Sequence, residues 1–244
     1  MNIESIFKDI SFKITPNTDY RKAYKYRFIK GLFKLFQKDR EFDFSNCCIN
    51  KNVEDYDLKK TLLKIESMST YAIGHVINKI CKGLNKDQLY LNIGVWKGFS
   101  LISGMINTNC EVIGIDNFSQ FNGPKKSFLQ NFNKHKKINH YFYEEDYINF
   151  FKKFEKQSKF IDFYFYDGEH SYDNQYKNLQ IADQFLKSES LVLIDDINFD
   201  EVYSGTMDFI NNTNSKYKIL KEIKTANNHC HPSYWNGIII LKKN

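Results

Sequence analysis

The sequence predicts an α/β protein: an open, doubly wound, mostly parallel seven-stranded sheet with helices on both faces, an antiparallel terminal hairpin and a helical N-terminal extension. Three observations predict it. Five short β-like runs, QLYLNI (88–93), EVIGID (111–116), INHYFY (138–143), IDFYFYD (161–167) and LVLID (191–195), alternate with helix-compatible segments near 98–107, 125–133, 146–156 and 172–187. Strands apolar on both faces and separated by helices pair in parallel under helical layers. Two last runs, KYKILKEI (216–223) and YWNGIIILKK (234–243), follow one more helical segment near 201–211. The polar stretch between them is too short for a crossover helix, so they pair antiparallel. Finally, the polar residues that look chemical fall at the carboxyl ends of the parallel runs, the edge at which such sheets bind ligands.

A chain of 244 residues, 42% of them hydrophobic, buries one large core, and α/β folds of this size are routinely single domains. Residues 69–244 are therefore read as the main domain and 1–68 as a helical cap or extension. The start, MNIESIFKDISF, has no apolar targeting core, and no stretch approaches eighteen apolar residues. The expectation is a cytoplasmic protein without stable membrane insertion. The five cysteines are odd in number and form no C-x-x-C pair, which argues against a disulfide framework or a zinc site. A formal charge of +6, from 35 basic and 29 acidic residues, favours an anionic substrate but falls short of a nucleic-acid signature.

From the N-terminus, Asp19 to Lys38 places Tyr24, Phe28, Leu32 and Phe36 on one helical stripe, widened by Ile29, Phe33 and Leu35, with Lys and Arg opposite. Thr18 or Asp19 caps it. The pattern suits a helix docked on its own domain, one lying on a membrane, or a cationic wall for a phosphorylated substrate. Residues 41–67 are polar and weakly periodic. STYAIGHVINKICKGL (69–84) is a good helix, opened by Ser69 or Thr70 and closed by Gly83.

The first strand of the regular pattern runs into Asn92, Gly94, Trp96, Gly98 and Ser100. Gly94 and Gly98 allow a tight turn at a helix N-terminus. The second strand ends in Asp116 and Asn117, with Asp116 22 residues after Gly94, close to the interval at which an acid reaches a nucleoside ribose. The spacing departs from the G-x-G-x-x-G that a pyrophosphate needs. S-adenosylmethionine, which has no phosphate, fits better. After the third strand come Glu144, Glu145 and Asp146. Asp146 is the candidate for the adenine amine, with helix capping as its plain structural role.

FYFYDGEHSY (163–172) ends the fourth strand at Asp167, and LVLIDDIN (191–198) ends the fifth at Asp195 and Asp196. Adjacent strands lie about 4.8 Å apart, so these three carboxylates converge, and a divalent cation relieves their repulsion. Oxygen ligands favour Mg²⁺, and Asn198 is a further candidate near it. His170, three residues beyond Asp167, is placed to take a proton from a substrate hydroxyl; Asp167 is the alternative base. His229 and His231 flank Cys230 in a loop expected to line the substrate entrance.

YLNIGVWKGFSL, VIGIDNF, YFYDGEHSYDNQYKNL, LVLIDDIN and YWNGIIIL, in that order, resemble class I S-adenosylmethionine-dependent methyltransferases, and most closely the metal-dependent sugar O-methyltransferases related to macrocin O-methyltransferase. The resemblance spans residues 70–242. It implies that the glycine loop and Asp116 hold the cofactor, that Asp167, Asp195 and Asp196 hold the metal, and that His170 is the base. It also implies a sugar acceptor; the basic N-terminal helix, where it covers the site, would hold the phosphates of a nucleotide-linked sugar, which fits polysaccharide biosynthesis. Asn92 departs from it, standing where the broader fold usually has Glu or Asp near the methionine ammonium. A non-catalytic binding protein on the same sheet, and a catechol-type or RNA acceptor, are the competing readings. Homo-oligomerisation is left open.

Overall fold

The computed structural model describes residues 2–213, 216–227 and 230–244. Its N-terminal part contains α1 (Ile3–Lys8), β1 (Ile10–Phe12), α2 (Tyr24–Leu35), α3 (Asp39–Asn46), β2 (Cys47–Ile49) and α4 (Tyr56–Leu62), with β1 and β2 paired antiparallel. Ile3, Ile6, Phe44, Leu58 and Leu62 are buried in the same core as the main sheet. Residues 41–67 are thus more ordered than their weak periodicity suggests. The elements are short, and distant partners hold them. The Arg40 guanidinium, for example, donates to the carbonyls of Leu62 and Leu63 and to Ser67 Oγ.

The helix expected over 19–38 is confined to α2, whose N-cap is Ala23. Asp19 instead accepts from the backbone N–H of Lys22 and from Asn227 Nδ2. Only one side of α2 is docked: Tyr26, Ile29 and Phe33 pack on buried Ile14, Tyr20 and Phe42. The stripe of Tyr24, Phe28 and Leu32, the more regular pattern in the sequence, faces outward.

The rest is the doubly wound sheet. Its elements are α5 (Tyr71–Lys82), β3 (Leu89–Ile93), α6 (Phe99–Met105), β4 (Glu111–Ile115), α7 (Lys125–His135), β5 (His140–Tyr143), α8 (Tyr147–Phe154), β6 (Ile161–Tyr166), α9 (Tyr172–Asp183), β7 (Leu186–Asp195), α10 (Asp200–Asn212), β8 (Tyr217–Ile223) and β9 (Ile238–Lys243). The strand order is β5-β4-β3-β6-β7-β9-β8. The first five strands in chain order pair in parallel, and β9 lies antiparallel between β7 and β8.

Alternation along each strand sorts side chains between the two faces. Tyr90, Val112, Phe163 and Leu191 join the layer that includes Ile77, Leu101 and Phe128. Their neighbours Leu91, Ile113, Tyr164 and Val192 join Phe150, Leu179 and Phe209. The order reverses between β3 and β6, which places a crevice at their carboxyl ends.

Boundaries differ from expectation where tertiary pairing wins. α9 stops at Asp183 because Leu186 pairs with Ile161 and begins a ten-residue β7. β9 starts only after Gly237, whose φ of +86° makes a turn and whose Cβ position would lie 2.7 Å from the Ile223 carbonyl oxygen. Thr70 is the N-cap of α5, but its hydroxyl donates to the Ser233 carbonyl rather than to its own helix.

One core bond has a measurable worth. Tyr164 Oη donates to Asn178 Oδ1 at 2.7 Å, and both residues are fully buried. Tyr164→Phe strands that acceptor, at a cost of about 1 kcal/mol. The expected result is a melting midpoint roughly 2–4 °C lower, measured by thermal unfolding, with the circular dichroism spectrum unchanged.

Candidate active site

A cavity of about 600 Å³ opens at the carboxyl ends of β3, β4, β6 and β7, within the size range of small-molecule sites. Its floor is built by the turn after β3. Gly94 has φ +77°, and a Cβ there would fall 1.9 Å from the Asp167 carbonyl oxygen, so the loop and the tip of β6 touch backbone to backbone. Gly98, at φ +98°, is the N-cap of α6. Between them, Val95 and Trp96 each donate a backbone N–H to Asp116 Oδ2 at 2.9 Å, and Phe118 donates to Oδ1 at 2.7 Å. Asp116 therefore shapes the loop as well as lining the cavity, and three of its roughly four acceptor positions are taken.

The proposed cofactor residues divide into two layers. Gly94, Trp96, Asp116, Asn117 and Asp146 line the cavity. Asn92, Gly98 and Ser100 lie beneath it: Ser100 Oγ donates to Asn92 Oδ1 at 2.8 Å, and Asn92 Nδ2 donates to the carbonyls of Ile93 and Gly94. Asn92 thus spends its amide on the turn. Asp146 also caps α8, accepting from Ile148 N at 2.8 Å. The indole Nε1 of Trp96, a donor on a residue of the cavity wall, is buried without a hydrogen-bond partner among the described residues.

The acidic end of the cavity gathers Asp167, His170 and Asp196, whose ligand atoms lie within 4.8 Å of one another. His170 Nε2 is 3.0 Å from Asp196 Oδ2 and 3.7 Å from Asp167 Oδ1. Asn236 Nδ2 donates to the other Asp196 oxygen at 2.6 Å. Asp196 has φ +60°, a conformation that turns its side chain away from the alternation of β7. Asp195, one residue earlier, is buried and accepts from the Asp196 N–H at 2.9 Å. Of the expected trio, Asp167 and Asp196 come together with His170, while the carboxylate of Asp195 lies outside that group and next to it.

The electrostatics match this crowding. Burial, then repulsion from Asp196, raises the Asp167 carboxyl, against a lowering by His170. Burial, then Asp196 and Asp167, pushes Asp195 well above the usual carboxylate range. Burial disfavours charge on His170, but the two carboxylates outweigh it and hold the imidazole up at about 10. Negative charge exceeds positive here, and the donors are hard oxygens with one imidazole. That is a set suited to a hard divalent cation.

Residues 91–197 match a protein-family model described as a methyltransferase domain. The fold is that of class I S-adenosylmethionine-dependent methyltransferases. It is similar to an O-methyltransferase from Bacillus cereus in complex with S-adenosylhomocysteine (TM-score 0.61, 12% identity, 78% of this chain and 92% of that one). A second likeness is to a putative O-methyltransferase from Klebsiella pneumoniae (TM-score 0.61, 14% identity, 78% and 91%). A third is to an O-methyltransferase from Streptomyces achromogenes involved in tomaymycin synthesis, in complex with S-adenosylmethionine (TM-score 0.58, 12% identity, 78% and 91%). These relations are broad ones to O-methyltransferases, with no specific link to the macrocin type. Among curated proteins, none matches the sequence.

In this methyltransferase fold the cavity wall includes residues that sequence reasoning did not single out. Phe118, Tyr147, Phe199 and Trp235 supply aromatic surface, and Met68 comes from the segment before α5. The ring of Phe199 stacks on His170 at 5.6 Å between centroids. An aromatic-rich sequence gives no local signal to separate these rings from core rings. Of that loop, Cys230 lines the cavity. His229 lies outside the described residues. His231 is buried, with Nδ1 2.7 Å from Ser233 Oγ and Nε2 3.1 Å from the Thr18 carbonyl, a structural role. Asn198 is likewise occupied with Thr225.

Proposed function

We propose that this protein is an S-adenosylmethionine-dependent O-methyltransferase that acts on a hydroxyl of a sugar, free or nucleotide-linked, with the help of a divalent cation. The observation that carries the reading is that one cavity holds both the glycine turn of Gly94 and the cluster of Asp167, His170 and Asp196. S-adenosylmethionine, when bound, supplies an electrophilic methyl group. Gly94, Trp96 and Asp116 would hold it along the turn, and Asn117 and Asp146 at the far end. Asn92, Gly98 and Ser100 support that surface from below.

A divalent cation held by Asp167 and Asp196, with Asp195 beside them, would supply the positive charge that lowers the pKa of the acceptor hydroxyl and offsets the carboxylates that keep His170 protonated. The chain's own contribution is alignment and proton transfer. The imidazole of His170 receives the proton of the hydroxyl on its other nitrogen, Nδ1, while Nε2 faces the two carboxylates. Asp167 and Asp196 orient the imidazole, and Asn236 fixes Asp196. Most of the acceleration comes from presenting the oxygen in line with the methyl carbon and sulfur. Polar Glu169, Asn174 and Asn236 beside the rings of Phe199 and Trp235 support an acceptor with several hydroxyls on a ring.

The test is transfer of a labelled methyl group to a panel of sugars and catechols, with and without EDTA. Activity on a sugar, lost on chelation and restored by Mg²⁺, is the expected result. Activity indifferent to chelation removes the cation, and transfer to catechols alone changes the acceptor class. Isothermal titration that finds no affinity for S-adenosylhomocysteine favours a non-catalytic binding protein.

A further inference from the structure

We propose that the exposed face of α2 binds an anionic lipid surface. Tyr24, Phe28, Leu32 and Leu35 are 72%, 56%, 41% and 79% exposed, and Phe36, just past the helix, is 72% exposed. They recur at helical spacing and form one outward stripe. The helix is not waiting to dock on its own domain, since its other side already packs on Ile14, Tyr20 and Phe42.

Charge decides the occupant. Between Asp19 and Asp39 the chain has seven basic residues and no acidic one. Lys25, Arg27 and Lys34 are exposed, and among the ion pairs of the described residues none engages them. A second copy meeting this face across a two-fold axis would bring these basic residues against themselves. An apolar stripe edged by unpaired cations on a helix too short to cross a bilayer matches a helix lying in the interface of an anionic membrane.

The place of α2 ties this surface to the cavity. Tyr20 Oη donates to the Cys230 carbonyl at 2.9 Å, and Lys30 Nζ to the same oxygen at 3.4 Å. Cys230 lines the cavity. The docked side of α2 thus reaches, through Lys30, the loop that carries Cys230.

The experiment is sedimentation of the full chain with phosphatidylglycerol or phosphatidylcholine vesicles. Binding to the anionic vesicles is expected to be on the order of a hundredfold tighter at low salt, and to weaken as salt is added. The double substitution Phe28→Glu with Leu35→Glu should weaken it by roughly tenfold or more, with the melting midpoint and the affinity for S-adenosylhomocysteine unchanged. Equal binding to both vesicles, binding to neither, or full binding by the double variant overturns the proposal. So does a dimer, in analytical ultracentrifugation, that the same double variant dissociates, because the face then belongs to a second copy.

Discussion

His170→Gln is expected to lower kcat by about 10²–10⁴-fold, while the affinity for S-adenosylhomocysteine, measured by titration, stays within about twofold of the parent. The imidazole sits 3.0 Å from Asp196 and 3.7 Å from Asp167, whereas the glycine loop is held by Asp116. Glutamine keeps a polar group of similar length but cannot take a proton near neutral pH. The split between lost turnover and retained cofactor affinity marks a proton acceptor rather than a structural residue. Near-normal turnover would move the role elsewhere, with Asp167 next in line.

Gly94→Ala should produce the second large effect, this time on folding and cofactor binding together. The added methyl carbon would lie 1.9 Å from the oxygen and 2.6 Å from the carbon of the Asp167 carbonyl, at a φ of +77°. The backbone conformation alone costs alanine about 1–2 kcal/mol. The clash adds more, since the neighbour is main chain held by the bond from Asp167 N to the Ile93 carbonyl and cannot swing aside. Relief requires parting the tips of β3 and β6, which opens the cavity floor. A loss of several kcal/mol in stability and loss of measurable S-adenosylhomocysteine binding are expected. Gly31→Ala is the control: none of the described residues comes within 4 Å of its Cβ position, and the substitution should be neutral or stabilise α2 by up to about 1 kcal/mol. If Gly94→Ala melts and binds like the parent, the close approach of the two strand tips is wrong.

Much of this was readable before any coordinates. The runs that became β3, β4, β6 and β7 announce themselves because both faces of a central parallel strand are buried, so each must be apolar almost throughout. Their last residues stand out for the same reason: a carboxylate at the end of such a run has left the core. Asp116, Asp167 and Asp196 were found in this way, and all three reach the cavity. The short elements over 39–62 were not legible. Too few residues repeat for a period to emerge, and they are held by distant groups such as Arg40.

The amino-acid pattern by itself determined the succession of the strands along the chain, their direction and the edge at which the chemistry is collected, because burial on a pleated sheet imposes a two-residue rhythm and helices between strands impose parallel pairing. Only the tertiary structure decided how individual side chains are spent there. It showed Asp116 engaged with the loop, Asn92 beneath the cavity, and His170 rather than Asp195 within reach of Asp167 and Asp196. It also turned the most regular apolar stripe of α2 toward solvent. These outcomes depend on φ at single residues such as Asp196 and on partners distant in sequence such as Asn236 and Phe42, and neither leaves a period that a linear reading can detect.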